Sequence, residues 1–231
     1  MKKGSMLAAL ILVGLLSSAG LAGASVIGSK HDFTVTNGGT FMFNTDQVCI
    51  FCHTPHGSVS KDRLGNAVPL WNRSLNEGAA GFNMYTSSTF KGIMPADNKP
   101  TGNSLLCLSC HDGVSSIGGV INSGGTPITA VPPSPNTIGD AALTYPSYAN
   151  INIGRDLTND HPVSFPYDAT LLGKDASLKD PSTISPLKLY NGNLECCTCH
   201  DPHEYGSTTG KAPFLRMSNA NSALCTQCHN K

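Results

Sequence analysis

Nine cysteines and eight histidines stand in a chain of 231 residues, and they are not scattered. All nine cysteines fall in four pentapeptides of one form, eight of them at its two defining positions: Cys49-Ile50-Phe51-Cys52-His53, Cys107-Leu108-Ser109-Cys110-His111, Cys196-Cys197-Thr198-Cys199-His200 and Cys225-Thr226-Gln227-Cys228-His229. On one helical turn, residues i and i+3 share a face and i+4 lies beside them, so each pentapeptide offers two thiols and an imidazole to the same flat partner. C-x-x-C-H is the attachment signature of c-type haem: the thiols add to two vinyl groups of one porphyrin and the histidine faces its iron. Four covalently bound haem c groups, with iron as the metal, are therefore expected. A zinc ribbon uses paired C-x-x-C motifs without requiring a histidine after each second cysteine. A disulfide framework does not repeat one pentapeptide four times. Cys197 is left over, because only Cys196 has the right spacing to Cys199; it is a free thiol, an intermolecular bridge or a residue without a role.

With His53, His111, His200 and His229 on the proximal side, His31, His56, His161 and His203 remain. Four haems have four distal positions, so the count implies bis-histidine ligation throughout, with Met42, Met84, Met94 and Met217 as the possible replacements. His56 follows His53 by three residues, as His203 follows His200. Three residues reach about 10 Å at most, and the chain would have to pass around the edge of a macrocycle to reach its far face. Each second histidine must then serve a different haem, which brings two haems close together. Pro55 and Pro202 end the helical turn and let the second imidazole leave in another direction.

The order of elements also repeats, which divides the chain into an N-terminal di-haem half (25–125), a connecting segment rich in Gly, Pro, Ser and Thr (126–158) and a C-terminal di-haem half (159–231). Within each half the upstream histidine is expected on the first haem and the later one on the second. That pairs His31 with His53, His56 with His111, His161 with His200 and His203 with His229. The connecting segment is either a covering loop with short extended pieces or a flexible linker.

The elements that must hold these motifs are short. Asp46, Ser104 and Ser222 precede three of the motifs as candidate N-caps, and Pro55 with Gly57, and Gly113, are candidate stops. Hydrophobic residues make up 39% of the chain but aromatic ones only 6%, with Trp71 alone of its kind, so large core side chains are scarce for this length. The expected fold class is a multihaem cytochrome c: mostly coil and loops, short helices around a haem-filled core, little sheet, and few helices longer than three turns.

Lys2 and Lys3, an apolar stretch and the small residues Ala22-Gly23-Ala24 read as a signal peptide, 1–24, cleaved before Ser25. Gly14, Ser17, Ser18 and Gly20 interrupt the stretch, which argues against a retained span. The mature chain is expected to be exported, with no membrane span and no lipid-bearing cysteine ahead of Cys49. Fifteen basic residues balance fifteen acidic ones, and processing removes two of the basic ones, so no basic patch points to nucleic acid.

The CHxPH motifs after the first and third sites, "NDHPVSF" at Asn159–Phe165 and the ending "FLRMSNANSALCTQCHNK" resemble multihaem cytochromes of the doubled C-x-x-C-H type. The haem count, length and signal peptide are most similar to the extracellular filament-forming tetrahaem cytochromes of metal-reducing bacteria, the OmcE type. The resemblance implies a homopolymeric filament (a cytochrome nanowire) with bis-histidine haems stacked in alternating parallel and T-shaped pairs, and a histidine lent by a neighbouring subunit, which falls here on His31. It implies secretion to the cell surface and extracellular electron transfer to metal oxides or other external acceptors, fed by redox partner proteins. Only 13% of residues are charged, so little like-charge repulsion opposes self-association. The alternative is a soluble periplasmic tetrahaem carrier, although no charged docking cluster is evident. A multihaem reductase needs an iron with an open position, and eight histidine ligands leave none, so the chain is expected to transport electrons rather than act as an enzyme.

Overall fold

Gly, Pro and Asn punctuate the sequence too often for long regular elements, and the chain runs mostly as turns, bends and irregular segments. The computed structural model describes residues 25–62, 64–75, 81–139, 151–205 and 214–230; the expected signal peptide, 1–24, lies outside them. Among the described residues the longest helix is α1 (Gly102–His111), followed by two single turns, α2 (Ala169–Leu172) and α3 (Cys196–Cys199). Two antiparallel pairs supply the sheet: β1 (Val59–Lys61) with β2 (Ala67–Trp71), and β3 (Phe165–Pro166) with β4 (Asn193–Leu194).

The apolar side chains gather into three small clusters. Phe33, Phe41, Phe43, Ile50, Phe51, Ile117 and Ile138 form the first, with Phe51 meeting Phe33 and Phe43 edge to face at 5.2 and 5.5 Å. The second lies in the C-terminal half around Phe165, Tyr167, Leu187, Leu194 and Cys228. The third joins Leu105 and Leu108 of α1 to Phe82, Met84 and Leu157. Ile138 is buried in the first cluster, Ile128 and Ala130 pack against it, and Ala130 pairs with Phe43. The described part of the connecting segment is thus a cover over the N-terminal core; residues 140–150 lie outside the described residues.

Helix α1 packs against β2 and α3, and its start differs from the expected one. Ser104 is not the N-cap but a fully buried residue inside the helix, and the capping position belongs to Thr101. The amide groups that a local cap would satisfy bond instead to two distant carboxylates: Gly102 N–H donates to Asp62 Oδ2 at 3.0 Å and Ser104 N–H to Glu195 Oε2 at 3.2 Å. Two acids at the positive end of the helix replace one local hydroxyl. Asp46 and Ser222 do not cap the first and fourth motifs either. The one-turn helices of the first and fourth motifs, Val48–Phe51 and Cys225–Gln227, are preceded by Gln47 and Leu224 without a side-chain cap. Gly113, at φ +79°, turns the chain just past α1, as expected of a stop.

Candidate functional site

Each C-x-x-C-H pentapeptide closes a turn of helix. The histidine N–H donates to the carbonyl of the first cysteine at 2.9 Å for His53, 3.1 Å for His200 and 3.0 Å for His229, and His111 is the last residue of α1. Extended backbone then pins each turn. His53 is bridged to Trp71 of β2, His200 to Leu215 and His229 to Leu178, while Gly154 N–H donates to His111 O at 3.0 Å. Lys179 adds a bond from its Nζ to Thr226 O at 2.6 Å, which ties the last motif down.

The thiols adjoin in sequence order. The thiols of Cys52 and Cys110, and those of Cys107 and Cys196, act on each other electrostatically, and Cys199 feels Cys228 and Cys225. Burial pushes the Cys52 thiol up to about 12, with Cys110 adding and Arg73 opposing, and pushes Cys199 up to about 11. Cys107 is raised by the neighbouring Cys196 thiol and by burial. Thiols of successive C-x-x-C-H motifs therefore adjoin one another, with α1 placing Cys110 beside the first motif and Cys107 beside the third.

The histidines meet across the chain. His53 and His203 have ring centroids 6.2 Å apart with planes at 16°, His31 and His111 are 6.1 Å apart, and His161 and His229 are 6.4 Å apart. These are not the pairs expected within each half: His31 meets the second-site histidine rather than His53, His203 meets His53 rather than His229, and His161 meets His229 rather than His200. His31 also lies inside its own chain, stacked on Phe214 at 4.3 Å, and is not held outward toward a neighbour. His56 and His200 are both exposed, and neither makes an aromatic ring contact among the described residues. Met84 is buried in the third apolar cluster, and Met94 and Met217 pack against the second. Met42, half-buried, donates its N–H to Ser134 Oγ at 2.7 Å.

The imidazoles are also oriented. Nδ1 of His53 contacts Pro69 O at 2.5 Å, Nδ1 of His111 contacts Ile151 O at 2.7 Å and Nδ1 of His161 contacts Pro162 O at 2.9 Å. A proton held on Nδ1 by a carbonyl leaves Nε2 as the lone-pair nitrogen, the arrangement that metal-binding histidines use. Burial lowers His31 to about 4, with His111 adding to the effect, which keeps that ring neutral; burial lowers His111 as well.

This donor set fits haem iron. With a metal–imidazole bond of about 2 Å and a ring radius of about 1.1 Å, two imidazoles on opposite sides of one iron have centroids about 6.3 Å apart. The three observed separations match that distance. Among the described residues no group of three or more His, Cys, Asp or Glu converges on one point; a haem iron takes only two ligands from protein, so it calls for no such group. No described helix is long and apolar enough to cross a membrane.

Two functional candidates were not found from the sequence. Arg73 and Glu195 are buried charged residues, 3% and 1% exposed, beside the cysteines of adjoining motifs. Nothing in their local sequence distinguishes them, apart from Glu195 preceding the third motif. No family model and no curated protein matches this chain.

Proposed function

We propose that this protein is a tetrahaem c-type cytochrome that carries electrons along closely placed bis-histidine haems and polymerises as an extracellular filament. The observation that carries the reading is the meeting of three imidazole pairs, each at the separation one shared iron requires. Haem supplies a one-electron iron couple when bound. The chain's own part is to hold it: two cysteines per motif as anchors, one histidine from the same motif, and a second histidine from elsewhere. Cys49, Cys52, Cys107, Cys110, Cys196, Cys199, Cys225 and Cys228 are the anchors, and all eight are free thiols in the structure.

The histidine ledger supports polymerisation. Three pairs form within one chain and leave His56 and His200 as the fourth, yet both are exposed and do not meet each other. A second copy offering its His56 to this chain's His200 completes the set, and each copy gives one ligand and receives one. This revises the expected lender from His31 to His56.

Electron microscopy of the purified, haem-loaded protein, together with its intact mass, tests the proposal. Four haems per processed chain in filaments is the expected result. Four haems in monodisperse particles favours the periplasmic carrier, and any other haem count removes the tetrahaem reading.

A further inference from the structure

Two buried charged residues, Arg73 and Glu195, lie at opposite ends of helix α1, and among the described residues neither has an oppositely charged partner. At its C-terminal end the Arg73 guanidinium donates from Nε and Nη2 to Ser109 O at 3.1 and 3.0 Å, from Nη1 to Ile117 O at 2.6 Å, and from Nη2 to Ser116 O. All are neutral carbonyls, and among the described residues no carboxylate pairs with it. Its positive charge reaches Cys52 of the first motif and Cys110 of the second.

At the N-terminal end, Glu195 accepts four bonds, from Thr101 Oγ1 at 3.1 Å, Ser104 N at 3.2 Å, Ser164 Oγ at 3.1 Å and Ser104 Oγ. The hydroxyl directions are set by what the hydroxyls themselves accept. Ser104 Oγ takes the Cys196 N–H at 3.0 Å and Ser164 Oγ takes the Thr101 N–H at 3.0 Å, so each has its own proton free for the carboxylate. Burial raises the Glu195 carboxyl, and the bonds from Ser104, Thr101 and Ser164 oppose that; four donors aimed at two oxygens suit an ionised carboxylate, which accepts only, and the positive end of a ten-residue helix adds to this. The negative charge reaches Cys107 of the second motif and Cys196 of the third.

We propose that Arg73 and Glu195 are opposed potential-setting residues, which place the first attachment site at a higher reduction potential than the third, with the second between them. The inference rests on the tetrahaem reading. Buried charges in a low-dielectric interior act strongly on neighbouring charge, and among the described residues neither is neutralised by a counter-ion. A cation favours the reduced iron, which carries one positive charge fewer, and an anion favours the oxidised one. The second site feels both, because α1 carries Cys110 toward Arg73 and Cys107 toward Glu195. Electrons within one chain then rest toward the Arg73 end.

The test is a spectroscopic redox titration of the haem-loaded full chain beside E195Q, E195D, R73Q and R73K, with intact mass recorded for each. The mass judges the tetrahaem reading separately, since a wild-type count other than four defeats that reading whatever the potentials do. The expected result is that E195Q moves the low end of the titration to more positive potential and R73Q moves the high end to more negative potential, so that each narrows the span. E195D and R73K, which keep the charge, restore the wild-type span. An unchanged or wider span in E195Q, or a charge-retaining variant that shifts as far as the neutral one, overturns the proposal. If one neutral variant fails to load four haems, the other decides alone by the same criterion.

Discussion

The rings of His53 and His203 lie 6.2 Å apart and within 16° of parallel, although they come from opposite ends of the sequence. Their side chains leave the two CHxPH segments that the chain repeats, so this contact joins the two halves through the residues the repeat provides. His53→Ala or His203→Ala alone should convert one haem from six-coordinate low-spin to high-spin without altering a haem count of four. The double variant is more informative. If the two rings serve one iron, His53→Ala with His203→Ala leaves three low-spin haems in the ferric electron paramagnetic resonance spectrum; two leaves the pair without support.

The fourth ligand set gives a prediction about assembly. His56→Ala removes the ligand assigned to a neighbour, and the chain's own three pairs do not use it. The variant should still attach four haems but lose filaments in electron micrographs and show one high-spin haem. Undiminished filaments with four low-spin haems would leave His56 without a ligand role.

What was legible in the sequence was local. A C-x-x-C-H pentapeptide dictates its own turn, because its hydrogen bond from histidine to the first cysteine spans four residues and needs nothing from the rest of the chain. The caps were illegible for the opposite reason. Ser104 has the composition of an N-cap, but Asp62 and Glu195, remote in sequence, reach the helix end first, and Ser104 is taken inside to bond Glu195. The histidine pairs were illegible on the same ground: a repeated order suggests that the upstream histidine serves the first site of each half, whereas the fold brings His31 to His111 of the second site and His203 of the C-terminal half to His53 of the N-terminal one. Arg73 and Glu195 carry no periodicity or motif, and only their burial marks them.

Cys197 is the ninth cysteine, and the fold encloses it. It is 8% exposed, its sulfur accepts from Asn103 Nδ2 at 2.9 Å, and burial pushes its thiol up to about 12. A neutral, enclosed thiol reacts poorly with alkylating agents. Iodoacetamide on the native haem-loaded protein should leave it unmodified by peptide mass mapping, and Cys197→Ala should keep four haems. Rapid native labelling, or an intermolecular disulfide at Cys197, would show that this enclosure is incorrect.

Phe43 tests the N-terminal core. It is fully buried, meets Phe51 edge to face and pairs its backbone with Ala130 of the connecting segment. Phe43→Ala should cost about 3–5 kcal/mol, the usual penalty for emptying an aromatic site in a packed core. Denaturant unfolding of the mature chain measures it, and a loss below about 1 kcal/mol would mean that the cluster collapses around the gap.

Asp62 makes stability depend on pH at the acid end. Burial raises its carboxyl, but bonds from Asn66, Gly102 and Leu64 outweigh that and hold it below its usual value. Both oxygens are in use: Oδ1 takes the Leu64 N–H at 2.9 Å and the Asn66 N–H at 2.8 Å, and Oδ2 takes Asn66 Nδ2 and the Gly102 N–H at 3.0 Å each. A carboxyl that is more acidic when folded stabilises the fold fully above its unfolded pKa, about 3.9. The contribution falls away as pH drops through that value toward the folded one, because the unfolded chain then binds the proton first. Asp62→Asn removes the charge while keeping the shape, but its amide nitrogen cannot accept. The variant should melt below wild type at pH 7, and the gap should narrow steadily as pH falls below about 4. Melting curves at pH 7, 5, 4 and 3 measure this, and a gap that stays constant across the series would mean that the ionisation of Asp62 contributes nothing to stability.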